Sequence, residues 1–202
     1  MLDHLVGLVK VRVVRGVNLA IRDLRSSDPY VVVRIGKQAV HEDAFDFCIP
    51  VACLLMQYLA TVNCELIAIV FQVSQKLKTR VIKKSTNPEW NEELTLSIED
   101  PAVPIRLEVF DKDTFIDDSM GNAELDIRPL VEVVKMKLQD VADNTVVKKQ
   151  VPNRQNCLAE ESTIYISEGK VRQDLVVRLK NVECGEIELQ LLWVDVPGSK
   201  GV

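Results

Sequence analysis

Alternation of apolar and polar residues recurs along most of this 202-residue chain. Val9, Val11 and Val13 alternate with Lys10 and Arg12, and Leu94, Leu96 and Ile98 with Thr95 and Ser97. Ile105, Leu107 and Val109 alternate with Arg106 and Glu108, and Ile187, Leu189 and Leu191 with Glu188 and Gln190. Successive side chains on a strand point to opposite faces, so each run buries one face and wets the other, as strands of an antiparallel sandwich do. Tyr30 to Ile35 is a further β-rich run, and Asp28-Pro29, Asn87-Pro88 and Asp100-Pro101 are turn signals between runs. The expectation is an all-β protein. Apolar residues make up 47% of the chain, enough for one well-filled core and marginal for two domains.

Two stretches break the alternation. In RPLVEVVKMKLQDV, from Arg128 to Val141, Leu130, Val134 and Leu138 recur every fourth residue behind Pro129, which predicts a short amphipathic helix. The sequence then stays polar and irregular until Thr163 to Ile166. Residues 39–75 are the larger anomaly: an acidic start leads into a nearly continuous apolar run from Ile49 to Val73, with three of the five cysteines. Three readings stand for it. It is the translation of a retained intron, since U-rich codons encode the Phe, Leu, Ile, Val and Cys that dominate it. It is a membrane-spanning or re-entrant helix, against which Gln57, Asn63 and Glu65 argue. Or it is a helix packed against the sandwich.

Net charge is −5, which argues against a general nucleic-acid binder. The first residues lack the basic start and cleavage site of a signal peptide, and the odd cysteine count without a CxxC pair suits a reduced, intracellular protein. His4 and His41 are too isolated to suggest zinc.

The acidic residues concentrate in two turns. RDLRSSDPY carries Asp23 and Asp28; DKDTFIDDSMG carries Asp111, Asp113, Asp117 and Asp118. Any one of them is an ordinary turn former. Together, beside good strands, they compose a set of hard oxygen donors of the kind that calcium takes in a flexible shell of six to eight ligands. The second turn lacks the sixth-position glycine and the flanking helices of an EF-hand. In KLKTRVIKK, Lys76, Lys78 and Arg80 alternate along an expected strand and so share one face, with Lys83 and Lys84 following. Beside an anionic membrane, each such charge gains about 1 kcal/mol; the alternative is an ordinary solvated strand face. Phe115 and Ile116, apolar at the tip of the second acidic turn, are candidates for shallow membrane insertion. Trp90 and Trp193 lie within β patterns and are expected in the core.

The markers SDPY, NPEWNE and DKD followed by MG, in that order, resemble a C2 domain. NCLAEES and KNVECGEIELQLLWVDVPGSKG resemble the plant C2-domain abscisic-acid-related family. The resemblance implies an antiparallel eight-stranded C2 β-sandwich over 1–198, interrupted by the insertion at 39–75 and by a family-specific excursion at 128–172. It also implies calcium ligation by Asp23, Asp28, Asp111, Asp113 and Asp118, completed by the main-chain carbonyls of Arg22 and Lys112. The third loop is one residue short of the family's spacing, so Asp117 is the alternative last ligand. The lipid-facing set is Lys76, Lys78, Arg80, Lys83, Lys84, Phe115 and Ile116, since C2 domains often carry a lysine-rich patch for phosphoinositides.

The function so implied is a calcium-dependent adaptor that binds anionic phospholipid and brings soluble abscisic acid receptors to the plasma membrane. Peripheral, cytoplasmic and nuclear locations all follow from the resemblance. The family also implies, for some members, activation of a partner GTPase, with Arg128, Arg154 and Arg172 as arginines of the excursion. No nucleophile–base pair or phosphate loop points to a stand-alone enzyme.

Overall fold

A computed structural model of the chain describes residues 4–24, 26–36, 75–199 and 201. Chain contacts divide it into two units, 1–35 with 75–202, and 36–74. All elements below belong to the first. The insertion at 39–75 lies outside the described residues except for Gln75, which is the first residue of a strand.

Ten strands and one helix run along the described chain: β1 Gly7–Val17, β2 Pro29–Ile35, β3 Gln75–Lys78, β4 Glu89–Ile98, β5 Ile105–Asp111, β6 Asp118–Leu125, α1 Arg128–Lys135, β7 Thr145–Gln150, β8 Ser162–Ser167, β9 Lys170–Arg178 and β10 Glu186–Val194. They form two antiparallel sheets, ordered β4-β1-β10-β9-β8-β7 and β3-β2-β5-β6. The alternating residues do what their period dictates. Val9, Val11, Val13, Leu96, Ile98, Ile105, Leu107, Val109, Ile187, Leu189 and Leu191 are buried in one apolar core with Trp90 and Trp193, as expected for both tryptophans.

The all-β sandwich with a short helix is as the sequence predicts. Eight strands were expected, and among the described residues there are ten; the stretch read as irregular contributes β7, whereas β8 is built around Thr163 to Ile166, where that stretch was expected to end. The pattern of β7 is hidden by a register shift between Val146 and Lys148. Across that bulge Val147 and Lys148 are both half-buried, between Val146 and Lys149, which are exposed, so the period of two is lost there. The helix is also shorter than Arg128 to Val141. It stops at Lys135 with Met136 as C-cap, and Lys137 takes a left-handed φ of 45° while its N–H bonds to the Val134 carbonyl. Leu130, Val131, Val133 and Val134 are buried, whereas Met136 and Leu138 are 54% and 42% exposed, too little burial to hold another turn.

Register fixes which connections share an end. Val17 faces Glu186 across β1 and β10, Arg178 faces Glu186 across β9 and β10, Pro29 faces Asp111, and Asp111 faces Asp118. The loops 18–28, 79–88, 112–117 and 179–185 therefore meet at one end. Gly121 helps close that end. At φ 99° it lets β6 approach residues 180–182 so closely that an added Cβ would stand 2.5 Å from Val182. Asn122 and Lys180 exchange both main-chain hydrogen bonds there, joining the two sheets. Helix α1, the β8–β9 turn and the last residues of β10 lie at the opposite end.

Candidate calcium and lipid site

The first acidic turn is shaped by Ser27, which is fully buried. Its hydroxyl accepts the Arg22 N–H at 2.9 Å and donates to the Ala20 carbonyl at 3.1 Å. Asp28 then bridges to both neighbouring connections. Its carbonyl accepts the Lys112 N–H at 3.0 Å, its carboxylate accepts the Lys84 N–H at 2.7 Å, and its own N–H donates to Asp111 at 2.5 Å. The two acidic turns thus meet through the main chain.

Asp111 is the most constrained carboxylate. It is 1% exposed, its Oδ1 accepts the Asp28 N–H, and its Oδ2 is buried without a partner. Burial first, and then the neighbouring charges of Asp23 and Asp28, raise its pKa against the lowering effect of the Asp28 N–H hydrogen bond. Asp113 is raised as well, by desolvation and by Asp111, Asp118, Asp23 and Asp117. Residues far apart in sequence thus sense one another's charge. Asp117 behaves otherwise. Burial opposes its ionisation, but hydrogen bonds from the Tyr30 hydroxyl, Lys112 and the Asp113 N–H outweigh this and hold its carboxyl below the usual range. The Tyr30 hydroxyl donates at 2.7 Å and the Lys112 ammonium at 2.9 Å. Asp118 makes no such side-chain bonds among the described residues and sits opposite Asp111.

No three His, Cys, Asp or Glu side chains among the described residues are gathered tightly enough to hold a metal ion as they stand. Like charges repel, and a cation would have to draw these carboxylates together. The donor set nevertheless fits a hard divalent ion. All donors are oxygens, one buried oxygen lacks a partner, and two carboxyls resist ionisation because they are desolvated and others surround them. Asp23, Asp28, Asp111, Asp113 and Asp118 would hold calcium, which when bound would supply positive charge and open coordination positions to lipid phosphate.

Arg22 brings a side chain that sequence reading passed over in favour of its carbonyl. Its guanidinium grips Glu183 through two hydrogen bonds, of 2.8 and 3.0 Å, and donates from Nε to the Ser119 carbonyl at 3.0 Å. The hydrogen bond to Glu183 is the main reason Arg22 holds its proton above the ordinary value, and it correspondingly depresses Glu183. Glu183 was missed because nothing local marks it; only the fold carries it to the acidic end.

Phe115 and Ile116 are 96% and 80% exposed, and Leu24, in the first turn, is fully exposed. Leu24 was missed although it stands between Asp23 and Arg25, a position where an apolar residue has no local partner. With Ile21, half-exposed in the same first turn, four large apolar side chains fringe the acidic end. Lys76 and Lys78 are exposed on β3, as the alternation requires, and the Lys78 ammonium stands 6.0 Å from the centre of the Tyr30 ring. Lys83 and Lys84 are exposed in the next connection. Arg80 differs: β3 ends before it, and its guanidinium pairs with Glu92 at 3.3 Å and bonds to the Glu89 carbonyl.

A sandwich whose acidic loops converge at one end has the architecture of a C2 domain, and comparison with known proteins agrees. The C2 domain family model matches residues 7–44 and 57–146. Rice (Oryza sativa) proteins named GTPase activating protein 1 are 72% identical over the whole of both chains. Protein C2-DOMAIN ABA-RELATED 4 of Arabidopsis thaliana is 46% identical over all of this chain and 94% of that protein. Among solved structures, a C2 domain of plant extended synaptotagmin 1 superposes with a TM-score of 0.53 at 19% identity, covering 95% of this chain and 97% of that one. The calcium-bound pair of C2 domains of extended synaptotagmin 2 gives 0.52 at 20% identity, covering 95% and 46%. The chain belongs to the plant C2-domain abscisic-acid-related family.

Proposed function

We propose that this protein is a calcium-dependent, phospholipid-binding adaptor that brings soluble abscisic acid receptors to the cytoplasmic face of the plasma membrane, moving between membrane, cytoplasm and nucleus. The observation that carries the reading is the Asp111 carboxylate, buried with an unpartnered oxygen and crowded by aspartates of the other turn. Such a group is costly unless a cation completes it. Asp118 supplies the last carboxylate, because Asp117 is committed to Tyr30 and Lys112. Bound calcium turns a repelling end into an attracting one. Leu24, Phe115 and Ile116 then enter the interface, while Lys76, Lys78, Lys83 and Lys84 add attraction to anionic headgroups. Arg80 contributes less, being paired with Glu92. The receptor contact is assigned to the excursion at 128–172, which a plain sandwich does not need. Liposome co-sedimentation titrated with calcium tests the reading: binding should require calcium and be lost when Asp111 and Asp113 both become asparagine. Binding that is indifferent to calcium would refute it.

A second reading, activation of a partner GTPase, is favoured by the name of the rice relatives. Arg128 pairs with Asp126 and Arg172 with Glu168, whereas the Arg154 guanidinium is exposed without an ion pair or hydrogen bond among the described residues. Arg154 is therefore the arginine to supply in trans. GTP hydrolysis by a purified G protein should be stimulated by the wild type and not by R154A.

A further inference from the structure

At the end of the sandwich away from the acidic loops, a groove of about 720 Å³ opens between the C-terminus of α1, the β8–β9 turn and the end of β10. Val134, Ile166, Val171 and Trp193 form its apolar wall, and Lys137 and Lys170 stand at its mouth. Met136 and Leu138 extend apolar surface into solvent on either side of Lys137, 54% and 42% exposed.

Cations outnumber anions among the charged residues that line it: Lys137 and Lys170 against Asp195. Glu132 is paired with Lys148 and Glu168 with Arg172 at 3.0 Å, while Asp195, which lines the groove, accepts the Trp193 indole N–H at 2.9 Å and keeps its negative charge. The ammonium groups of Lys135, Lys137 and Lys170 have no ion pair or hydrogen bond among the described residues, in a chain of net charge −5. Asp140 is also unpaired; neither it nor Lys135 lines the groove, whereas Lys137 and Lys170 do. Lys137 moreover occupies the left-handed position that ends a helix, where glycine is favoured and a side chain is a local disadvantage. An amphipathic wall with unengaged cations complements a helix carrying apolar anchors on one face and carboxylates beside them. A membrane is the poorer occupant, because the acidic end with its apolar fringe lies opposite.

We propose that this groove docks an acidic amphipathic helix of a partner protein. The proposal deepens the adaptor reading, on whose assignment of partner contact to residues 128–172 it rests. A display library of random peptides, selected against the full chain in a calcium chelator, should enrich sequences with Leu, Ile or Phe at i, i+3 or i+4 spacing and Glu or Asp between them. Binding of a selected peptide should weaken roughly fivefold with K137G and again with K170Q, the scale of one charge-assisted contact each. K137G should not lower Tm, since glycine suits that backbone, and both variants should keep wild-type liposome binding in calcium. No enrichment, enrichment of basic peptides, or peptides indifferent to both variants would overturn the proposal. So would displacement of the peptide by phosphatidylserine vesicles without calcium, which would make the groove a lipid site. If calcium-dependent liposome binding fails in the wild type while the peptides behave as described, the membrane reading falls and the groove stands.

Discussion

Replacing Asp111 by asparagine separates what the acidic end costs the fold from what it does with calcium. The carboxylate is 1% exposed, Oδ1 accepts the Asp28 N–H, and Oδ2 has no partner. Asparagine keeps the Oδ1 acceptor, removes one negative charge, and offers an N–H₂ to the surrounding carboxylates. Leaving a buried polar group unsatisfied costs about 1–3 kcal/mol, so without calcium D111N should be more stable than wild type by about 1 kcal/mol. For a chain of this size that raises Tm by roughly 2–4 °C. In calcium at a hundred times its dissociation constant, wild type gains about 2.7 kcal/mol, whereas D111N, with a ligand lost, gains much less. The order of the two melting temperatures should therefore reverse between chelator and calcium. The pH dependence has a definite sign. The folded pKa of Asp111 is raised, so its penalty is fully present above that pKa and vanishes as pH falls below the unfolded value. The advantage of D111N in chelator should shrink on acidification, because protonation neutralises the same oxygen. Melting curves followed by circular dichroism, in chelator and in calcium from neutral to acid pH, decide it. A D111N protein that melts below wild type in chelator, or that gains as much from calcium, refutes the reasoning.

Changing Leu24, Phe115 and Ile116 together to alanine should leave Tm unchanged, since all three are exposed. It should weaken calcium-dependent liposome binding at least about tenfold, because full burial of one such side chain contributes about 1.5–3 kcal/mol. Changing Lys78 and Lys83 to glutamine should weaken binding to anionic vesicles by about 1 kcal/mol per charge, with a flatter salt dependence; vesicle titrations at several ionic strengths read this. Charge reversal at the Arg22–Glu183 clamp should lower calcium affinity in either single variant, R22E or E183R, and recover part of it in the double variant. Calorimetric titration with calcium is the measure, and a double variant no better than the singles would show the pair to be incidental.

The strands were legible because period two is a local property: β1, β5 and β10 each show in their own residues which face is inward. The acidic turns, the exposed apolar pair at 115–116 and the basic face of β3 were legible for the same reason. Where the period is broken, the sequence misled: the bulge in β7 left Val147 and Lys148 both half-buried, and the helix ended at Lys135, with Lys137 in the left-handed region and Leu138 42% exposed. Four things were decided only by tertiary structure. Register brought Asp23 and Asp28 within electrostatic reach of Asp111. The fold delivered Glu183 to Arg22 across 161 positions. Tyr30 claimed Asp117, leaving Asp118 opposite Asp111. Helix α1 and the β8–β9 turn enclosed a groove that no motif announces. Alternation along a strand depends on near neighbours alone, whereas charge coupling, capture of one carboxylate and enclosure of a cavity depend on distances between residues that only sheet pairing brings together.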